Sequence, residues 1–357
     1  MNTTTLASTI TTAVLDPHSE RQRLADRIFY FAVAVNIVLT AVALLPLAGI
    51  GQGVIGRFEF NPRSMLTLVI GFAFFNVFWA FVWYGVKALL LRFFVGMSRE
   101  DRKKVFASRM SEPFDLAGLL SRYSERRIRI TDMIGRRGRF ISLAMAMFFY
   151  LYADIAAKQS GNFASAFGAQ TVFDSVFSVW VFLALYYVDG FAGAVFFGAQ
   201  TRVMDGTLAR ANCMLILTLW SLFKLVLVPM GAQIAPLYPA DQFAMLFALI
   251  WGTYLVVDSC SEIGGSLYGT MKIRVRGIGD VNRKSIGGTV TGLVAGLVFS
   301  IGVVLVNGLS GFYLALAVTV ALSSSALEVF SPRGTDDFTM ATGNALICWF
   351  FGAWVFA

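Results

Sequence analysis

The string DSCSEIGGSLYGTMKIRVRGIGDVNRKSIGGT at residues 258–289 joins two long apolar runs, near 242–260 and 287–307. Two carboxylates, Asp258 and Glu262, end the first run. Glycines follow, then five cations and the turn-like GIGDVNRKS lead into the second run. About 20 apolar residues cross the hydrocarbon core as a helix. The string therefore reads as a polar connection between two membrane helices, with a composition suited to a phosphorylated, negatively charged ligand.

The rest of the chain agrees. Its 357 residues are 57% hydrophobic and only 14% charged, where soluble domains carry about 25% charged residues. The mean hydropathy is +0.70. No alternating ten-residue pattern of a transmembrane barrel is present, so the expected fold is all-α, a polytopic helical bundle. Nine spans are expected, near 28–50, 65–91, 140–157, 172–199, 211–230, 242–260, 287–307, 311–328 and 340–356.

Cations set the orientation. The segment 92–139 carries RKK at 102–104, ERRIR at 125–129 and GRRGR at 135–139, which places it in the cytoplasm. Alternation then puts the N-terminus inside, and the connections 200–210, 261–286 and 329–339 inside as well. Arg57 and Arg63 in the first outer loop are the mild exception. This divides the chain into a polar cytoplasmic tail (1–27), an N-terminal membrane region with the basic loop 92–139 (28–240), and a C-terminal membrane region (241–357) that holds the string 258–289. No cleavable signal peptide is expected; a bacterial inner membrane is, with the site facing the cytoplasm.

The formal net charge of +8 is accounted for by this inside bias, so no nucleic-acid partner is expected. The 92–139 segment has amphipathic helical spacing and two readings. It is a surface helix pair on anionic headgroups, or a lid over the cytosolic mouth whose arginines help hold a nucleotide phosphate. Cys213, Cys260 and Cys348 lack CxxC spacing, which argues against a disulfide framework or a zinc site. The single histidine, His18, lies in the tail. Acid–base chemistry in the membrane region must then use carboxylates, lysine or hydroxyls.

Lys87, Asp154, Asp174, Asp189 and Lys224 also fall in or beside spans. Lys87 is expected to snorkel to the inner interface. For Asp154, Asp174 and Lys224, internal pairing and outer-edge capping both stay open.

Three polar clusters share the cytosolic side: Asp258 with Glu262, four apart on one helical face; Asn282-Arg283-Lys284-Ser285; and EVFSPRGTDD, Glu328 to Asp337. Clustered carboxylates hold Mg²⁺, which binds phosphates in turn. Lys and Arg neutralise a transferring phosphoryl group. A helix starting near 286 presents its positive end to such an anion. A carboxylate could accept the proton of a lipid hydroxyl. The standard nucleotide motifs fail: Ile278 and Arg283 occupy the two P-loop glycine positions before Lys284-Ser285, and Asn282 replaces the third glycine of GxGxxG. Rival readings stand beside these. Gly264, Gly265 and Gly269 also suit close helix packing, Lys272, Arg274 and Arg276 suit topology alone, and Asp336-Asp337 suit a helix N-cap.

At these residues the chain resembles the CTP-dependent polyprenol and lipid kinases (dolichol kinase, phytol kinase, diacylglycerol kinase), a family related to phosphatidate cytidylyltransferases. The family's Asp with two following glycines is matched by Asp258, Gly265 and Gly269. Its Lys-Ser/Thr-x-Glu-Gly-Ser/Thr is matched by Lys284-Ser285-Ile286-Gly287-Gly288-Thr289. The kinase branch's Glu, Ser-Pro and Gly-x-Asp-Asn/Asp-x-Thr are matched by Glu328, Ser331-Pro332 and Gly334-Thr335-Asp336-Asp337-Phe338-Thr339. The resemblance covers about 245–357, and Gly287 departs from it where the family carries Glu. Compensation by Glu262 or Glu328, altered activity and lost activity all stay open.

The resemblance implies cytosolic CTP, Mg²⁺ and a membrane lipid substrate, with a homodimer left open. The activity it implies is transfer of the γ-phosphate of CTP to a lipid alcohol. The rival is cytidylyl transfer to phosphatidate; a transporter or lipid-binding protein is the non-enzymatic alternative. The catalytic residues it implies are Asp258, Glu262, Lys284 and Asp336. Asp258, Asp336 and Asp337 would bind metal or activate the hydroxyl, with Glu328 in support. Gly265, Gly269, Asn282, Arg283, Lys284, Ser285, Gly288 and Thr289 would bind the nucleotide.

Overall fold

The computed structural model describes residues 17–50, 77–107, 114–138, 169–188, 190–277, 283–332 and 334–356. Its long elements are helices: α1 (Pro17–Leu44), α2 (Trp79–Phe93), α3 (Arg99–Ala107), α4 (Leu116–Arg122), α5 (125–138), α6 (Ala169–Ala184), α7 (Phe191–Gly198) and α8 (Ala209–Ile234). Four more follow: α9 (Phe243–Tyr268), α10 (Ile286–Val306), α11 (Phe312–Phe330) and α12 (Asp336–Phe356). Among the described residues six helices are long and apolar enough to cross a membrane. They are α1, α8 and α9 to α12, and the protein is an all-α polytopic membrane protein.

These six fall on the runs expected at 28–50, 211–230, 242–260, 287–307, 311–328 and 340–356. The run 140–157 lies outside the described residues, and so does 65–76 of the run 65–91. The run 172–199 is not one helix. It ends at Ala184, and the chain restarts at Phe191 after Gly190, whose φ of 88° lies in the left-handed region. Arg210 holds the break, its Nη1 donating to the carbonyls of Tyr186 (2.8 Å) and Val188 (3.2 Å). Hydropathy is blind to such a break.

Helix α9 is the centre of the bundle, with 83% of its most apolar window buried. Trp251, Tyr254, Phe247 and Phe223 form its aromatic core, Phe247 stacking on Trp251 at 5.9 Å. One wide π-type turn at Ala248–Gly252 loosens the backbone ladder. Asn344 of α12 bridges it, donating to the Ile250 carbonyl (3.2 Å) and accepting from Ser324 of α11 (2.9 Å). In an apolar interior such a carbonyl needs this partner.

α9 and α10 meet through small residues. A Cβ on Gly292 would stand 2.0 Å from Ser261 Oγ and 2.7 Å from the Val257 carbonyl oxygen. On Gly288 it would stand 2.5 Å from the Ser261 carbonyl oxygen, and on Gly264 2.4 Å from Thr291 Oγ1. Glycine every fourth residue lets the two backbones touch, and that contact brings the end of α9 beside the start of α10.

The connection between them is not wholly irregular. It carries a short antiparallel hairpin, β1 (Lys272–Arg274) with β2 (Arg283–Ser285), which the purely helical expectation omitted. Residues 278–282, Asn282 included, lie outside the described residues. Ser285 ends the hairpin and caps α10, accepting from the Gly288 amide at 3.1 Å. α9 ends, α10 starts, α11 ends and α12 starts on this one side of the bundle, which is how the three polar clusters meet.

Lys87 does not snorkel. Its side chain is 1% exposed, pairs with Asp132 of α5 at 2.9 Å and donates to the Thr201 carbonyl at 2.6 Å. Asp132 also accepts from the Val203 amide at 2.8 Å. A buried acceptor set, invisible in a linear hydropathy reading, holds the ammonium inside. The side chains of Asp154, Asp174 and Asp189 lie outside the described residues, and Lys224 sits 5.8 Å over the Trp220 ring.

Candidate active site

A cleft of about 110 Å³, open to solvent on one side, lies where these helix ends converge. α9 runs on to Tyr268, further than the expected end near 260. At 1.5 Å per residue Asp258 therefore stands roughly 15 Å, and Glu262 about 9 Å, short of the helix end. So deep in the bundle their charges need partners, and guanidinium groups supply them.

Arg137 of α5 clasps Asp258 with both terminal nitrogens, Nη2 lying 2.8 Å from Oδ1, and its Nε donates to Glu262. Arg136 reaches the same Glu262 oxygen at 3.0 Å. Arg202, from the connection between α7 and α8, takes the other oxygen at 3.0 Å. Burial opposes the Arg137 charge, but Asp258 and Glu262 outweigh it and raise its pKa. Arg202 is raised too, where Glu262 and then Asp205 outweigh burial.

Opposite this group stands Lys284, last but one of β2. Its Nζ lies 2.9 Å from Glu328 Oε1 of α11 and 3.3 Å from Asp336 Oδ2 of α12, and it donates to the Glu328 carbonyl. Burial works against this ammonium, yet Asp336 and Glu328 prevail and raise its pKa above the ordinary lysine value. One oxygen each from Asp258, Glu328 and Asp336 lies within 4.8 Å of the others. Three carboxylate oxygens are the donor type a hard divalent cation such as Mg²⁺ takes, and they would have to draw slightly together to hold one, since its opposite ligands stand about 4.2 Å apart.

Of the residues expected at the site, Asp258, Glu262, Gly265, Lys284, Ser285, Gly288, Thr289, Glu328 and Asp336 line the cleft. Gly269 does not; a Cβ there would stand 2.3 Å from Ser285 Oγ, so its glycine is required by packing. Gly265 serves both purposes, a Cβ there standing 2.9 Å from the same oxygen. Arg283 pairs with Arg274 in the hairpin register, and its side chain lies outside the described residues. Asp336 and Asp337 open the first turn of α12, where acidic groups suit the helix dipole. Asp336 is turned onto Lys284, however, and Asp337 lies behind it, beside a small chamber shared with Arg136 and Arg202. Asp337 Oδ1 is buried without a hydrogen-bond partner. At Gly287, where the resembled family carries Glu, a Cβ would meet Gly269 and Tyr268 at an ordinary contact distance of 3.6 Å.

Residue types alone missed Arg202; Arg129, from the segment with the lid reading, and Lys272, weighed as topology signal, also line the cleft. The signal for Arg136 and Arg137 was the dense GRRGR run, which serves the lid reading better than the headgroup one. Arg126 extends that contact, donating from Nη2 to the Leu267 carbonyl at 2.8 Å and fastening α5 across the end of α9.

No protein-family model matches the chain, and no solved structure does. Over 107 residues it is 35% identical to a phytol kinase of Synechocystis sp.. The two are distantly homologous. The match takes in 29% of this chain and spans 41% of the length of that curated relative.

Proposed function

We propose that the protein is a membrane-embedded kinase that moves the γ-phosphate of CTP to a lipid alcohol of the polyprenol, phytol or diacylglycerol type. The observation that carries this reading is the meeting of Lys284 with Asp258, Glu328 and Asp336 in one cleft at the end of a membrane bundle. The distant homology to a phytol kinase supports it. The reading takes residues 241–357 as the catalytic region of a nine-span chain in a bacterial inner membrane, N-terminus and cleft on the cytoplasmic side.

In this mechanism the lipid hydroxyl oxygen attacks the γ-phosphorus, the bond to the β–γ bridging oxygen breaks, and CDP leaves. The hydroxyl proton passes to a carboxylate that lines the cleft, Asp258. Lys284 neutralises charge on the transferring group, and the capped start of α10 faces the phosphates. Asp258, Glu328 and Asp336 would hold Mg²⁺, which when bound supplies further neutralisation of the phosphates. Placing the phosphorus and the hydroxyl together is the larger part of catalysis of this kind.

The test is incubation of the purified protein with γ-labelled CTP, Mg²⁺ and a lipid panel. Label is expected on the lipid, with CTP preferred to ATP. Asp258→Asn and Lys284→Ala are each expected to lower turnover at least about 10²-fold while the protein stays folded. Label in pyrophosphate would make it a cytidylyltransferase, and no turnover of any nucleotide would end the kinase reading.

A further inference from the structure

The mechanism above leaves three arginines without a task, and all come from outside residues 241–357. Arg136 and Arg137 belong to α5, and Arg202 stands just before α8. All three guanidinium groups converge on one carboxylate, Glu262, and Arg137 takes Asp258 as well. Their side chains are only 16%, 4% and 20% exposed. Burial and the neighbouring Arg202 charge push the Arg136 pKa down to about 10. Like charges are crowded here, and a second anion would relieve them. The open side of the cleft carries Arg129 and Lys272 in addition.

We infer that Arg137 and Arg202 form the polyphosphate-binding wall of the cleft, backed by Arg136 from the small adjoining chamber, with Glu262 as the carboxylate that takes the phosphates' place when none is bound. This rests on the nucleotide reading and extends it to a part of the chain that reading left idle. Guanidinium forks match phosphate oxygens in pairs, which lysine cannot do. Chain geometry agrees: α5 is already fastened over α9 through Arg126, so its arginines need only exchange partners. The N-terminal membrane region then supplies half of the nucleotide site.

The experiment measures binding of inorganic tripolyphosphate and of CTP, with Mg²⁺, to the full chain in nanodiscs by calorimetry. Arg137→Lys and Arg202→Lys keep the charge and lose the fork; each is expected to weaken both ligands about tenfold or more. Glu262→Gln removes the competing anion and is expected to tighten both. A purely structural role predicts the reverse, since loosening α5 would weaken binding. Unchanged affinity in both arginine variants, or weakened binding in Glu262→Gln, overturns the inference. Binding only to nanodiscs containing phosphatidate overturns it too, by assigning the arginines to a lipid phosphate. Tripolyphosphate binding that follows the expected pattern, with no label reaching any lipid, would refute the kinase reading and leave this wall standing.

Discussion

Replacing Lys284 by Met removes the one cation that β2 places among three carboxylates. Lys284, Glu328 and Asp336 are 11%, 8% and 17% exposed, so the contact is largely desolvated. Breaking a buried pair by deleting one partner costs about 3–5 kcal/mol, because the orphaned charges stay buried. Protonation of the carboxylates limits the loss, so it should shrink on acidification. The same three oxygens form the candidate metal site, which gives the variant a second, diagnostic property. A divalent ion binding only the folded state restores about 2.7 kcal/mol at a hundredfold excess over its dissociation constant. Lys284→Met should therefore melt well below the parent protein in EDTA and recover most of the difference in Mg²⁺. The parent should respond less, since Lys284 competes with the ion. Thermal unfolding followed by tryptophan fluorescence in nanodiscs measures both. A variant as stable as the parent in EDTA, or one indifferent to Mg²⁺, would refute the placement of Lys284 in a metal-competent carboxylate cluster.

Two further outcomes follow from packing and from buried charge. Gly292→Ala places a Cβ 2.7 Å from the Val257 carbonyl oxygen, so α9 and α10 must part; about 1–3 kcal/mol of stability should go. Gly302→Ala on the same helix meets nothing within 4 Å and should be neutral or mildly stabilising in the same unfolding assay. Equal losses at both positions would show that helix contact is not the cause. At the buried Lys87–Asp132 pair, Lys87→Met or Asp132→Leu alone should each cost about 3–5 kcal/mol. The double variant should recover a large part, and simple additivity would mean the two charges do not depend on each other.

The membrane class and six long helices could be read from hydropathy because a lipid solvent imposes one rule, apolar length, on each span separately. The three polar clusters were legible for a related reason: carboxylates and cations at the ends of apolar runs are costly and must be used. What could not be read depends on contacts between distant segments. Lys87 looked like an interfacial snorkelling residue, since Asp132 lies 45 positions away in sequence. The arginines of 135–139 carried a topology signal strong enough to hide their second use against Asp258 and Glu262. Gly269 fits a family pattern for a nucleotide site, yet its lack of a side chain is explained by Ser285 standing against it. Asp258 and Glu262 were placed on one face correctly, and the extension of α9 to Tyr268 put them deeper than the apolar run alone indicated.

That depth bears on how ligands would enter. In the proposed reading Arg137 and Lys284 hold the very carboxylates that would take up the metal, so a divalent ion cannot settle on Asp258, Glu328 and Asp336 until those cations move. Ejecting them into a low-dielectric interior without a partner would be costly. A polyphosphate supplies the partner, because it receives the guanidinium groups and the ammonium as the metal takes their former carboxylates. Each ligand then removes the main obstacle to the other, and the exchange never leaves a buried charge uncompensated. Mg²⁺ and polyphosphate should consequently bind with positive coupling, each raising the affinity for the other by the same factor. The arrangement also ties the position of α5 to the state of the site, since Arg136 and Arg137 are fixed on the helix that Arg126 fastens to the end of α9. The arginines that hold the carboxylates in the ligand-free protein would, on this logic, hold the bound phosphates with the same groups.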